Sequence, residues 1–158
     1  MKYREEHRDL FGVNDFESGE PYCLAHCISA DFGMFGGIVV EFNRRWDMKN
    51  RLLQKYGNQK KNFMKIGPAV FPEEVENYGH TTVVYNLATK PTIDSRPTYG
   101  DLNTTLKLMK SHMLVSGHSK LAIPKIGCGI DGLDWRIVSE DIQEVFKDTN
   151  IEILVCIK

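Results

Sequence analysis

No run in this chain comes near the roughly 18 apolar residues of a membrane span, and the first six residues, Met-Lys-Tyr-Arg-Glu-Glu, are charged where a secretion signal is apolar. A soluble, cytoplasmic protein with no membrane partner is expected. Charge of one sign is missing as well: 20 basic against 21 acidic residues leave a net charge of −1, too weak a field for general attraction to DNA, RNA or anionic lipid. Any phosphate that this chain holds must therefore be held locally. Cysteines number only four. Cys23 and Cys27 are four apart on a segment that reads as a strand, hence about 13 Å apart at roughly 3.3 Å per residue. That is too far for a disulfide or for joint zinc ligation, so reduced thiols are expected. The five histidines are scattered, with His112 and His118 astride a helix end and His7 and His80 in loops, and they form no ligand set. No metal and no cofactor is expected. No glycine is followed by Lys-Ser or Lys-Thr in the register of a nucleotidase phosphate loop.

What is present suits one domain over residues 1–158, because a chain of this length with 42% hydrophobic residues has enough apolar surface for one core. Tyr22 to Ser29 reads as the first strand, and Asp9-Leu10-Phe11 as a strand end before it. Ile38, Val39, Phe42 and Trp46 share one helical face, and Asp47 is placed to cap a second short helix bearing Leu52, Leu53 and Tyr56. Ile66 to Phe71 and Thr81 to Thr89 read as strands joined by turn residues between Pro72 and Gly79. A helix from Thr98 to Val115 buries Leu102, Leu106, Met109 and Met113 and stops at Gly117. The strand Leu121 to Ile126, a helix begun by Asp134 with Trp135, Val138, Ile142 and Val145 inward, and the strand Ile151 to Ile157 complete the chain. The order predicts an α/β fold, its sheet parallel in the centre with one antiparallel hairpin and helices on both faces.

Ligands of such sheets bind at the carboxyl ends of strands, where Ser29, Lys90 and Gly127 stand. The run Gly127-Cys-Gly129-Ile-Asp-Gly132 spells the dinucleotide fingerprint, but a Rossmann site needs further strand and helix units beyond it, and this chain has one strand left. What remains is the physics shared by such loops: glycines let successive N–H groups surround an oxyanion, and a helix start adds unpaired donors. Tight strand-to-helix turning explains one glycine loop well and two matched loops less well. Two loops, after Ser29 and after Ile126, are placed to grip a diphosphate from two sides.

Seven segments in chain order resemble a known family: Asp9-Leu10-Phe11, Leu24-Ala-His26-Cys27-Ile28-Ser29, Gly37 to Phe42, Ala88-Thr-Lys90, Pro97-Thr-Tyr99, Met109-Lys-Ser-His112 and Pro124 to Asp131. They look like the macrodomain branch typified by the terminal ADP-ribose protein glycohydrolase. The resemblance implies a three-layer α/β/α macro fold with a mixed central sheet, holding ADP-ribose in a surface cleft. Asp9 would accept the adenine amino hydrogen and Leu10 would lend a backbone donor. His26 and Ser29 would shape the cleft floor. Of the two loops, one carrying Met34, Phe35, Gly36, Gly37 and Ile38 and the other Pro124, Ile126, Gly127, Cys128, Gly129 and Ile130, one would cradle the phosphates and the other close over the distal ribose. Lys90 and Asp131 would be the catalytic pair. A lysine amine must shed its proton before it attacks an electron-poor anomeric carbon, and a carboxylate beside it can take that proton.

Some residues depart from the family. Phe35 puts a large aromatic among small residues, and Pro91 stiffens the chain behind Lys90. The de-mono-ADP-ribosylating branch uses an asparagine and a glycine triplet, which are absent here, so its mechanism is not carried over. A thiol at a helix start can be reactive, but no histidine lies near Cys128 in sequence. The leading expectation is a hydrolase acting on ADP-ribosylated protein or on O-acetyl-ADP-ribose, as a monomer. Three alternatives stay open: an ADP-ribosylated nucleobase as substrate, ADP-ribose 1″-phosphate as substrate, and a module that binds ADP-ribose without cutting.

Overall fold

The computed structural model describes residues 1–158. Six strands form one sheet in the order β1-β6-β5-β2-β4-β3. They are β1 (Lys2–His7), β2 (Cys23–Ser29), β3 (Ala69–Asn77), β4 (His80–Lys90), β5 (Lys120–Ile123) and β6 (Glu152–Ile157). All neighbouring strands run parallel except β3, which pairs antiparallel with β4. Because successive side chains of a strand point to opposite faces, the sheet separates two cores. Leu24, Ile28, Val84, Ala88 and Leu154 face α1 (Val39–Trp46) and α2 (Met48–Tyr56), with α3 (Lys60–Ile66) packed beside them. Ala25, Tyr85, Leu87, Ile123 and Ile153 face α4 (Tyr99–Ser116) and α5 (Trp135–Phe146). This is the mixed sheet between helical layers that the order of elements predicts.

The ends of α4 and α5 form as expected. Thr98 and Asp101 make a reciprocal capping box, Gly117 closes α4 in the left-handed conformation, and Asp134 accepts the Arg136 N–H at 2.9 Å. Several expectations are corrected. β1 was not foreseen, since Lys2–His7 has almost no apolar residue; it is an edge strand held by its ladder to β6. Asp9-Leu10-Phe11 is not a strand end: Leu10–Gly12 is a 3₁₀ turn, with Asp9 accepting the Phe11 N–H at 3.1 Å. Asp47 does break the helical run, but by a left-handed backbone (φ 53°) and not by a side-chain cap; Asn43 accepts the Lys49 N–H instead. Lys60, Lys61 and Ile66 belong to α3, where Ile66 is a solvent-facing final residue and starts no strand. The hairpin is longer than its apolar runs, β3 continuing through Pro72 to a turn at Tyr78-Gly79. An edge strand tolerates the missing proline donor. β5 ends at Ile123, ahead of Pro124.

Candidate active site

The carboxyl ends of β2, β4 and β5 open into a cleft of two adjoining chambers, of about 420 and 440 Å³. The first is lined by Ser29, by residues 34–39 of the first glycine loop, by Lys90 and Ile93, and by Gly127, Gly129, Ile130 and Asp131 of the second loop. The second is lined by Asp9, Leu10, Phe11, Arg45 and the end of β6. Ile38, Pro124 and Lys125 border both.

Most residues singled out from sequence line this cleft, including both members of the suggested pair. Lys90 and Asp131 are 41 positions apart, yet the Lys90 ammonium donates to Asp131 Oδ1 at 2.8 Å, with side chains only 9% and 14% exposed. The ladder explains how they meet. Ser29 pairs with Lys90 across β2 and β4 after a register shift, and Lys90 C=O accepts the Ala30 N–H at 2.8 Å. The second loop then folds back over the pair. Gly127 (φ 74°) and Gly132 (φ 73°) adopt the left-handed backbone that glycine enters without penalty, and the Leu133 N–H closes on Gly127 C=O at 2.9 Å.

Two residues are placed differently from expectation. His26 does not reach the cleft. It is fully buried beneath α1, stacked on Phe42 with ring centroids 3.8 Å apart, and its Nε2 donates to Asn86 Oδ1 at 2.6 Å while Nδ1 has no partner. Burial keeps the ring neutral, its pKa pushed down to about 4 against the weaker upward pull of Asn86. Cys128 turns away from the chambers, its Sγ set 3.3 Å from Ile126 C=O, and burial pushes its thiol up to about 11, so the helix start does not activate it.

Asp31 is the residue that sequence reasoning passed over. Its carboxylate accepts from the Ser29 hydroxyl, from Gly33 N–H at 3.1 Å and from Ile93 N–H at 2.9 Å, tying the end of β2 to the chain just beyond Lys90. Burial alone would raise this carboxyl; the three hydrogen bonds, led by that of Ser29, outweigh it and hold the group below its ordinary range. An aspartate two residues before a glycine at a strand end is an Asx-turn signal, and that was the available clue.

The loops meet over the cleft. Ile130 Cδ1 lies 2.9 Å from where a Cβ on Gly36 would stand, so the second loop rests against the bare backbone of the first, and Gly36 itself has a left-handed backbone (φ 77°). The amides of Gly36, Gly37, Ile38 and Val39 on one side, and of Gly129, Ile130 and Asp131 on the other, make no backbone hydrogen bond within the chain. They are free donors for an anion. Side-chain charge reinforces them. The cleft presents Arg8, Arg45, Lys90, Lys125 and Lys158 against Asp9, Glu41 and Asp131, an excess of two cations in a protein of net charge −1. Phe35 stands at the rim, 68% exposed, with the Lys49 ammonium 5.1 Å above its ring. No group of three or more His, Cys, Asp or Glu side chains has the arrangement of a metal site, and no helix is long and apolar enough to cross a membrane.

No family model matches the chain. It is 41% identical over 147 residues to ADP-ribose glycohydrolase OARD1 of Homo sapiens, covering 93% of this chain and 86% of that protein, and 39% identical over the same length to the Bos taurus protein of the same name. Among solved structures, the macrodomain of Thermus aquaticus DarG superimposes with a TM-score of 0.79 at 17% identity, covering 98% of this chain and 97% of the other. Thermosipho africanus DarTG in complex with ADP-ribose superimposes with a TM-score of 0.78 at 18% identity, covering 99% of this chain and 42% of that one. The structural likenesses establish the fold, and the sequence likeness, carried over nearly the whole chain, establishes the relationship: the chain belongs to the macrodomain family, in the branch of the ADP-ribose glycohydrolases.

Proposed function

We propose that this protein is an ADP-ribosyl hydrolase that releases ADP-ribose from acidic side chains of modified protein, with Lys90 and Asp131 as its catalytic pair. The observation that carries the reading is the 2.8 Å contact between those two side chains, both nearly buried, in the chamber that the two glycine loops line. A module that only bound ADP-ribose would need the second chamber for adenosine and the amides for the diphosphate. It would have no use for an amine and a carboxylate converging where the far ribose lies.

The chemistry is an ester or glycosidic bond at the anomeric carbon, C1″. Asp131 takes a proton from the Lys90 ammonium. The freed amine bonds to C1″ as the bond from C1″ to the acceptor oxygen breaks, and the acceptor departs as a carboxylate. Asp131 gives up to solvent the proton it took; water then adds at C1″ as the C1″–N bond breaks, and the departing amine takes the proton of that water, giving ADP-ribose and restoring the Lys90 ammonium beside the Asp131 carboxylate. O-acetyl-ADP-ribose, an acyl ester of the same sugar, is a second substrate that the cleft would admit. The four free thiols support a cytoplasmic setting.

The test is turnover of glutamate-ADP-ribosylated protein by the wild type, Lys90→Ala and Asp131→Ala, with ADP-ribose affinity measured beside it. Both variants are expected to lose about 10²- to 10³-fold in rate while still binding ADP-ribose. A wild type that binds ADP-ribose and cleaves nothing would make the protein a reader. Release from modified DNA, run in parallel, decides the acceptor.

A further inference from the structure

Lys125 is the one cation lining the cleft without a carboxylate. Lys90 is held by Asp131 at 2.8 Å, Arg45 by Glu41 at 2.7 Å, Arg8 by Glu6 at 3.5 Å and Lys158 by Asp9 at 4.0 Å. Lys125 enters no ion pair. Lys125 borders both chambers, a position shared only with Ile38 and Pro124, which carry no charge. An exposed lysine on a flexible stem usually gains little from any fixed contact. This one is anchored at its base between Pro124 and the buried Ile126, and the Cys128 N–H closes a turn on its carbonyl at 3.3 Å.

A ligand with a base in one chamber and a sugar in the other must pass its linker across that border. The linker of ADP-ribose is a diphosphate with two negative charges. Main-chain amides can surround its oxygens, but each carries only a partial charge. We propose that Lys125 is the side-chain cation that neutralises the diphosphate, making it a binding residue additional to the two glycine loops and one that favours a charged linker over a neutral one of the same length. The inference rests on the functional reading above. A charge-assisted contact of this kind is short-ranged and weakened by salt.

The experiment compares ADP-ribose and adenosine binding to the wild type, Lys125→Gln and Lys125→Arg by calorimetry and ligand-observed NMR, at low and at high salt. Lys107→Gln, an exposed change on α4 away from the cleft, serves as the control for net charge. Lys125→Gln should weaken ADP-ribose by roughly 5- to 20-fold at low salt, by less at high salt, and leave adenosine unchanged. Lys125→Arg should come within about threefold of the wild type, since guanidinium also pairs with phosphate. Equal ADP-ribose affinity in the wild type and Lys125→Gln would overturn the inference while leaving the functional reading intact. So would a parallel loss of adenosine, which would mean that Lys125 shapes the chamber and not the charge. A wild type that bound no ADP-ribose at all would overturn both.

Discussion

The two glycine loops do the same job, presenting bare amides to the cleft, and are held in place by different means. The first is anchored by its own side chains. Phe32 is completely buried and Met34 is 5% exposed, and both sit at positive φ (57° and 53°), where a residue with a Cβ is strained by roughly 1–2 kcal/mol. Burial of the side chain offsets that strain. The second loop buries no large side chain between Gly127 and Gly132, and its left-handed positions are glycines. It is fastened by a backbone closure to Leu133 and by the Lys90–Asp131 contact. A chain accepts left-handed strain where it needs the side chain as an anchor, and uses glycine where it needs the space. In the proposed mechanism the anchored loop holds substrate, and the loosely fastened one brings a reacting group.

The strongest way to break this contrast is to remove an anchor. Phe32→Ala should destabilise the protein by about 3–5 kcal/mol in denaturant unfolding, since it leaves a cavity where Phe71 now packs edge-on at 5.3 Å between centroids. A loss below about 1 kcal/mol would mean that the first loop is not held by its side chains. Second in size is the pH response of the layer beneath that loop. The buried His26 titrates near 4 when folded and near its ordinary 6.5 when unfolded. Above 6.5 both states are neutral and stability from this group is flat. Between about 6.5 and 4 the unfolded chain takes the proton first, so stability falls as pH falls, by up to ~3 kcal/mol in all, and levels off below about 4. Unfolding free energies of the wild type and His26→Leu across that range measure it; identical slopes would contradict it. Smallest is the change aimed at the second loop. Gly127→Ala combines a φ of 74° with a Cβ only 3.0 Å from Leu133 Cδ1, so it should cost about 1–2 kcal/mol. Because Leu133 leads directly from Asp131, turnover should drop more than ADP-ribose affinity does.

Periodicity exposed α4, α5 and the central strands because their apolar residues fall on one face, at 3.6 or 2 residues per repeat, and burial follows that pattern. It missed β1, whose Lys-Tyr-Arg-Glu-Glu-His has no apolar face; backbone ladder bonds to a strand 150 residues away make it a strand. It shortened β3 because Pro72 and the glutamates read as turn residues, whereas the Glu73 side chain is buried and paired with Lys55 of α2 at 2.7 Å. At the site, both loops and the strand end at Lys90 were legible, since strand ends and glycines are local signals, while the pairing of Lys90 with Asp131 came from the family resemblance. His26 was misplaced because the strand's alternation told that it was inside without telling which layer it faced. Asp31 and Lys125 were overlooked because the importance of each lies in what the fold sets beside it.

By itself, then, the sequence determined the kind of fold, the family it resembles and the residues able to do chemistry, because each of these is written in short-range pattern. Tertiary structure alone decided that Lys90 and Asp131 touch, that two distant loops line the same chamber, and that a lysine between two chambers has no ion-pair partner. Distances between residues remote in the chain depend on strand order and on the register shift between Ile28 and Ser29, which are settled only when strands far apart in sequence pair.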